Sequence, residues 1–230
     1  MNVTLIEHTP NPERTVALAA RLCYSPTSID DLREKLAASD IESFLDKIMS
    51  LGHHSVLEHA SFTFGIEGIS RVTTHQLVRH RIASFSQQSQ RYVSHKDQFA
   101  SIMPACIAEN PEARQIFTLM SESVHKAYAQ LIEMGIPAED ARYILPNATE
   151  TKIIMTMNAR ELLHFFALRC CLRAQWEIRE MSIEMLRLVK IKAPVIFRQA
   201  GPGCVGAPCP EGKFCCGQTT EVREFFKNLE

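Results

Sequence analysis

Arg79–Tyr92 reads RHRIASFSQQSQRY: three arginines, a histidine, three serines and three glutamines, with only Ile82, Ala83 and Phe85 to bury and no acid at all. A solvated helix face usually mixes both signs of charge and favours Glu and Lys, so this segment is not explained as ordinary surface. Guanidinium forks match phosphate oxygens in pairs, and Ser and Gln add neutral donors, which suits the segment to a phosphorylated small molecule. The competing reading is an exposed loop whose arginines pair with acids from elsewhere in the chain.

The rest of the chain makes this basic segment a local feature. A net charge of -1 over 230 residues argues against a general nucleic-acid binder. The 46% hydrophobic content supports one domain with a sizeable core, or one domain with appendages. No apolar run approaches the roughly 20 residues that span a bilayer, and MNVTLIEHTPNPE lacks a basic stretch followed by an apolar one. A cytoplasmic protein with neither membrane nor nucleic acid as partner is expected. Of eight cysteines, Cys23, Cys106, Cys170 and Cys171 are scattered and read as free thiols, whereas Cys204, Cys209, Cys215 and Cys216 crowd the end.

Helices interrupted by a few strands are predicted. Met1–His8 reads as a short strand, followed by a helix to Cys23 with Asn11 as cap and Pro12 and Glu13 in its first turn. Asp40 caps a helix carrying Ile41, Phe44, Leu45, Ile48 and Leu51, and Gly52 ends it. Alternation of Phe62, Phe64 and Ile66 predicts a strand over 60–66, and Ser70 caps a helix running into the arginine-rich segment. Asn110 and Pro111 open a long amphipathic scaffold helix with Ile116, Phe117, Met120, Val124, Tyr128 and Leu131, closed near Gly135. A strand over 149–157 leads to Asn158 as cap of NARELLHFFALR, and a helix over about 174–191 puts Ile178, Met181, Met185 and Val189 on one face. Residues 1–198 are expected to form the catalytic part and 199–230 an irregular Gly/Pro/Cys-rich tail.

Two further constellations carry polar groups in unusual places. GHHSVLEH holds His53, His54, Ser55, Glu58 and His59, which invites a metal reading, but HEXXH spacing is absent and hydrogen bonding at a helix end is the commoner use. In NARELLHFFALRCCLRAQWE, Arg160 and His164 lie four apart on one helix face, and Arg169 stands among Phe165, Phe166 and Leu168, where an anionic partner is expected. GPGCVG satisfies G-x-G-x-x-G, yet no strand precedes it and Pro202 sits inside it, so it is no dinucleotide fingerprint. The C-x4-C-x5-C-C spacing of the tail is irregular for a zinc knuckle, and no metal is predicted.

Together RHRIASFSQQSQR, GHHSVLEH and NARELLHFFALR resemble the flavin-dependent thymidylate synthases, whose signature is R-H-R-x-x-S-x-N-x-x-S-x-R. The likeness runs from Gly52 to Trp176, with Ser86 where the signature has Asn and Gln87 where many members have Glu. It implies an α+β, helix-rich single domain with a small mixed or antiparallel sheet, and a homotetramer whose active sites are shared between chains. It also implies de novo thymidylate synthesis: methylation of dUMP to dTMP with 5,10-methylenetetrahydrofolate as carbon donor and FAD reduced by NADPH. By the same resemblance His53, Ser55, Glu58, Arg79, His80, Arg81, Gln87, Asn158, Arg160 and His164 serve FAD. Gln76, Arg79, Gln87, Ser89, Gln90, Arg91 and Arg142 cradle dUMP, with Ser89 and Arg91 nearest its phosphate and Arg169 beside the uracil as the catalytic cation. A carboxylate beside two phosphorylated ligands would repel them, which accounts for the missing acids. The alternative is a metal-dependent nucleotide phosphohydrolase using the histidine cluster; an RNA-binding module would need more basic surface and stacking aromatics.

Overall fold

Helix starts are set by side chains that accept the N–H groups a first turn leaves open. In the computed structural model, which describes residues 1–37, 39–93 and 100–229, strand β1 (Asn2–His8) leads through Asn11 into helix α1 (Pro12–Leu22). Asn11 does not cap with its side chain as expected; it takes the left-handed conformation at φ 48, a region Asn tolerates better than most residues. The acid of that first turn works elsewhere: Glu13 Oε1 accepts the Val195 and Ile196 N–H groups at 2.6 and 3.3 Å. Helix α2 (Ile29–Ala37) is an addition to the sequence expectation. Asp40 does cap α3 (Ile41–Ser50), accepting from Ser43 N–H at 3.1 Å, and Gly52 leaves it at φ 72.

After a tight helical turn at His54–His59 comes β2 (Ser61–Ser70), longer than the alternation of its phenylalanines suggested. Phe62, Phe64 and Ile66 face inward, and at Gly68, φ 71, the alternation slips by one residue so that Ile69 is again buried. Ser70 caps α4 (Arg71–Leu77), and β3 (Ala83–Gln87) then runs through the middle of the arginine-rich segment, which is therefore part strand rather than loop. Helices α5 (Ala105–Ala108), α6 (Pro111–Glu133) and α7 (Ala138–Ala141) precede β4 (Glu150–Asn158), from which α8 (Ala159–Arg169) and α9 (Trp176–Lys192) follow. The segment 199–230, expected to be irregular, ends in α10 (Thr219–Lys227), whose Val222 and Phe226 are buried and whose carbonyl end at Phe226 accepts from Lys190 Nζ at 3.0 Å.

The strands form one sheet in the order β1-β2-β4-β3. It is antiparallel: the end of β1 bonds the start of β2 (Thr9 N–H to Ser61), the end of β2 the start of β4 (Arg71 N–H to Thr149), and the end of β3 the start of β4 (Gln88 N–H to Lys152). On β4, Thr151, Ile153, Met155 and Met157 point to the core while Lys152 and Ile154 stay exposed, the signature of a sheet covered on one face.

By internal packing the chain has two units. One comprises residues 1–2, 66–79 and 85–154, and holds α4 to α7. The other comprises residues 3–65, 80–84 and 155–230, and holds α1 to α3 and α8 to α10. In the first unit α6 departs from its expected scaffold role: only Tyr128 is buried, Ile116 is 65% and Met120 58% exposed, and an apolar groove of about 470 Å³ runs along Ile116, Phe117, Met120 and Val124 to Pro146.

Candidate functional site

In the second unit, α8 organises the chemistry. Asn158 Oδ1 accepts the Glu161 N–H at 2.9 Å and so fixes where the helix begins. With that start, Arg160 and His164 project outward one turn apart, while Glu161, Phe165 and, two turns from Glu161, Arg169 follow the inward side. The buried ring of His80 lies among them, edge-on to Phe165 with centroids 4.9 Å apart and to His164 at 5.9 Å.

Both nitrogens of His80 are committed. Arg169 Nε donates to His80 Nε2 at 3.0 Å, and His80 Nδ1 lies 3.2 Å from Glu161 Oε1. Guanidinium is only a donor, so Nε2 holds the lone pair and Nδ1 carries the proton that goes to Glu161. Burial, with Arg169 close by, pulls the His80 pKa below the ordinary histidine value against the opposing pull of Glu161, which keeps the ring neutral. Burial also lowers the pKa of Arg169. His80, expected at the flavin, is the middle of a buried chain running from Glu161 to Arg169. His80, Glu161 and His164 bring ligand atoms within 4.8 Å of one another, a spacing a metal could use. A metal there would have to take the lone pair that Arg169 already holds or displace the Nδ1 proton.

On the outer side, Glu58, Ile82, Asn158, Arg160, Glu161 and His164 line a cleft of about 440 Å³, and Arg160 NH1 pairs with Glu58 at its rim. His53, Ser55 and Arg81 are exposed. Arg160 and His164 supply polar donors, and Ile82, 68% exposed, supplies an apolar edge; this is the mixed lining that a ring system carrying phosphates needs.

The first unit holds the residues expected at the nucleotide other than Arg169. Gln87 is fixed by its own amide, which donates to Thr74 Oγ1 at 3.1 Å and Thr151 Oγ1 at 3.2 Å. The Thr74 hydroxyl already donates to Arg71 O at 2.9 Å and so is left to accept, which the Gln87 amide N–H satisfies and a carboxylate could not. Ser89 Oγ accepts the Arg91 N–H at 3.1 Å. The Arg91 guanidinium meets Glu139 Oε2 at 2.9 Å, so at this position the arginine of an acid-free segment does find a carboxylate from elsewhere. The pair is half exposed and worth about 0–1 kcal/mol, little hindrance to a phosphate. Arg142 Nε donates to Glu139 O at 3.0 Å, Arg79 Nε to His75 O at 3.3 Å, and Gln76 and Gln90 are half-buried.

Two residues escaped the sequence reading. Arg71, at the first position of α4, is partly buried, and its pKa is lowered by burial and by Arg142, so that two guanidiniums of this unit share a neighbourhood suited to an anion. Glu161 was passed over between Arg160 and His164. Its signal was spacing, one turn before Phe165 and two before Arg169.

The sequence profile of a family described as thymidylate synthase complementing protein matches residues 4–195. Among similar proteins, the flavin-dependent thymidylate synthase of Geobacter sulfurreducens is 63% identical over 230 residues, covering 100% of this chain and 99% of that one. The enzyme of the same name from Clostridium tetani is 49% identical over 98% of this chain and 97% of its own length. That of Pyrococcus horikoshii is 44% identical over 100% and 98%.

Proposed function

The chain belongs to the flavin-dependent thymidylate synthases, methyltransferases that form dTMP from dUMP, and on that premise we propose the parts its residues play. The flavin is FAD, reduced by NADPH, and 5,10-methylenetetrahydrofolate supplies the carbon. FAD would be held in the cleft of Arg160, His164, Asn158 and Glu58, with His53, Ser55, Arg79, Arg81 and Gln87 completing its contacts. Its chemistry is hydride carriage, which the protein orients but does not replace. Gln76, Arg79, Gln87, Ser89, Gln90, Arg91 and Arg142 hold dUMP, the arginines neutralising its phosphate. The catalytic portion is residues 1–198, in a cytoplasmic enzyme.

Arg169 is the catalytic cation. Placed beside the uracil, its fixed charge favours the N3-deprotonated ring, which raises electron density at C5 and prepares that carbon to attack the methylene group. The observation that carries this role is the buried chain from Glu161 through His80 to Arg169 Nε, because it holds the guanidinium in one orientation without neutralising it. Purified protein given FAD is expected to turn yellow, bleach with NADPH, and yield dTMP once dUMP and the folate are added. Protein that stays colourless in excess FAD would contradict the assignment.

The assembly is a homotetramer with each active site built from more than one chain. The uncovered apolar side of α6 supports this, since an exposed apolar patch of this kind marks an interaction surface. Light scattering should report about four chains of 26.0 kDa, and Ile116→Glu with Met120→Glu should shift the mass downward. A stable, active monomer, or a tetramer indifferent to both changes, would count against that surface.

A further inference from the structure

Helix α8 ends on Arg169, and its own sequence does little to close it. Cys170 keeps a right-handed backbone at φ -76 and ψ -8, where a glycine in the left-handed region is the common stop. A helix end leaves carbonyls open, and the one at Ala167 accepts the Gly203 N–H at 3.2 Å. A Cβ on Gly203 would lie 2.9 Å from the Pro210 ring, which leaves no room for a side chain at this approach. On the other side of Arg169, the exposed Arg173 reaches the same C-terminal segment from the connection between α8 and α9. Its guanidinium donates to Phe214 O at 2.8 Å and to Cys215 O at 3.3 Å.

The segment that receives these bonds is itself anchored. Arg223 of α10 donates to Cys204 O at 2.7 Å and Ala207 O at 2.9 Å, which fixes the turn directly after Gly203. Lys190 of α9 donates to Phe226 O and Leu229 O, both at 3.0 Å, and Val222, Phe226 and Leu229 are buried. Arg169 thus has a held backbone on either side, at Ala167 and Arg173, as well as a side chain held at His80.

We propose that the C-terminal segment from residue 199 is a brace for the catalytic end of α8, with Arg173 and Arg223 as its positioning residues. The inference rests on the role given above to Arg169. His80 takes one bond from Arg169 Nε, and a single bond sets a direction only if the backbone behind the side chain stays in place. Asn158 fixes where α8 begins, and the brace fixes where it ends. Arginine suits both bridging positions, because one planar fork reaches two carbonyls at once. The segment touches neither nucleotide nor flavin in this assignment and acts only through Arg169.

The test compares Arg173→Ala and Arg223→Ala with the unaltered full-length flavoprotein in flavin content, bleaching by NADPH and dTMP formation. Both side chains are exposed, so neither change opens the core. Each variant is expected to bind FAD and bleach as before while kcat for dTMP falls about 10- to 100-fold, the scale of a small misplacement at a reacting centre. With dUMP carrying nitrogen-15 at N3, the bound ring should lose its proton at a higher pH in either variant than in the unaltered enzyme. Loss of stability alone would not move that titration. Unchanged turnover in either variant, or a loss shared equally by flavin binding, bleaching and turnover, would overturn the proposal. Failure of the Arg169 reading looks different, since Arg169→Ala itself would then leave the N3 titration where it was.

Discussion

Arg169→Ala is expected to lower dTMP formation by about 100- to 1,000-fold, the scale of losing one preorganised charge at a reacting centre, while the protein stays folded and still binds FAD. Arg169→Lys should rescue little, because an ammonium has no planar edge to present to His80 Nε2 while facing the ring. The adjacent thiols provide the contrast. A cysteine attacking C6 of dUMP is the obvious rival mechanism, and Cys170 and Cys171 directly follow Arg169. Cys170 is unfit for it: it is 1% exposed, and burial raises its pKa far above the ordinary thiol range, which withholds the thiolate a nucleophile needs. Cys170→Ser and Cys171→Ser should keep most activity. A folded, yellow, inactive cysteine variant would reverse the assignment.

Glu161→Leu is expected to lower kcat/KM for dUMP by about 10- to 100-fold with FAD affinity unchanged, the scale seen when the partner that orients a working group is removed. Without the carboxylate, nothing holds the proton on Nδ1, and the tautomer with Nε2–H would face Arg169 with a donor instead of an acceptor. Glu161→Gln keeps an acceptor for Nδ1–H and should retain most activity, which a merely space-filling role would not distinguish. The pH profile gives a second readout. Protonating His80 removes the acceptor from Arg169, and because the His80 pKa is depressed, the acid limb should fall below the ordinary histidine value of 6.5. In Glu161→Gln the limb should move lower still, since the carboxylate had favoured the imidazolium. Stability follows the same sign. The unfolded chain takes this proton first, so the contribution is complete above about pH 6.5 and is lost as pH falls through that value towards the folded pKa. An acid limb unchanged in Glu161→Gln would remove His80 from the account.

What the sequence disclosed were local patterns. Asp40, Asn110, Asn158 and Ser70 announced their helices because a cap acts within three residues of itself. The polar strand β3 was hidden because it alternates only between half-buried and exposed positions, with just Ala83 and Phe85 to mark its inner side among polar residues. The open side of α6 was misjudged as scaffold because periodicity shows that a face is apolar without showing what covers it. Helix α10 was missed behind a stretch of Gly, Pro and Cys that reads as loop. In the site, Arg160 and His164 were legible from four-residue spacing, whereas the bonds that orient Arg169 join residues 81 and 89 positions apart and needed the fold to bring them together.

The central claim is that a positioned arginine, not a covalent thiol, activates the pyrimidine. It is tested most directly by NMR of dUMP labelled with nitrogen-15 at N3 and carbon-13 at C6, bound to the FAD-loaded enzyme and to Arg169→Ala. The account predicts an N3 that has lost its proton and a C6 that stays trigonal in the unaltered enzyme, with N3 protonated again in the variant. A tetrahedral C6 bonded to sulfur, or an N3 that keeps its proton beside Arg169, would contradict it.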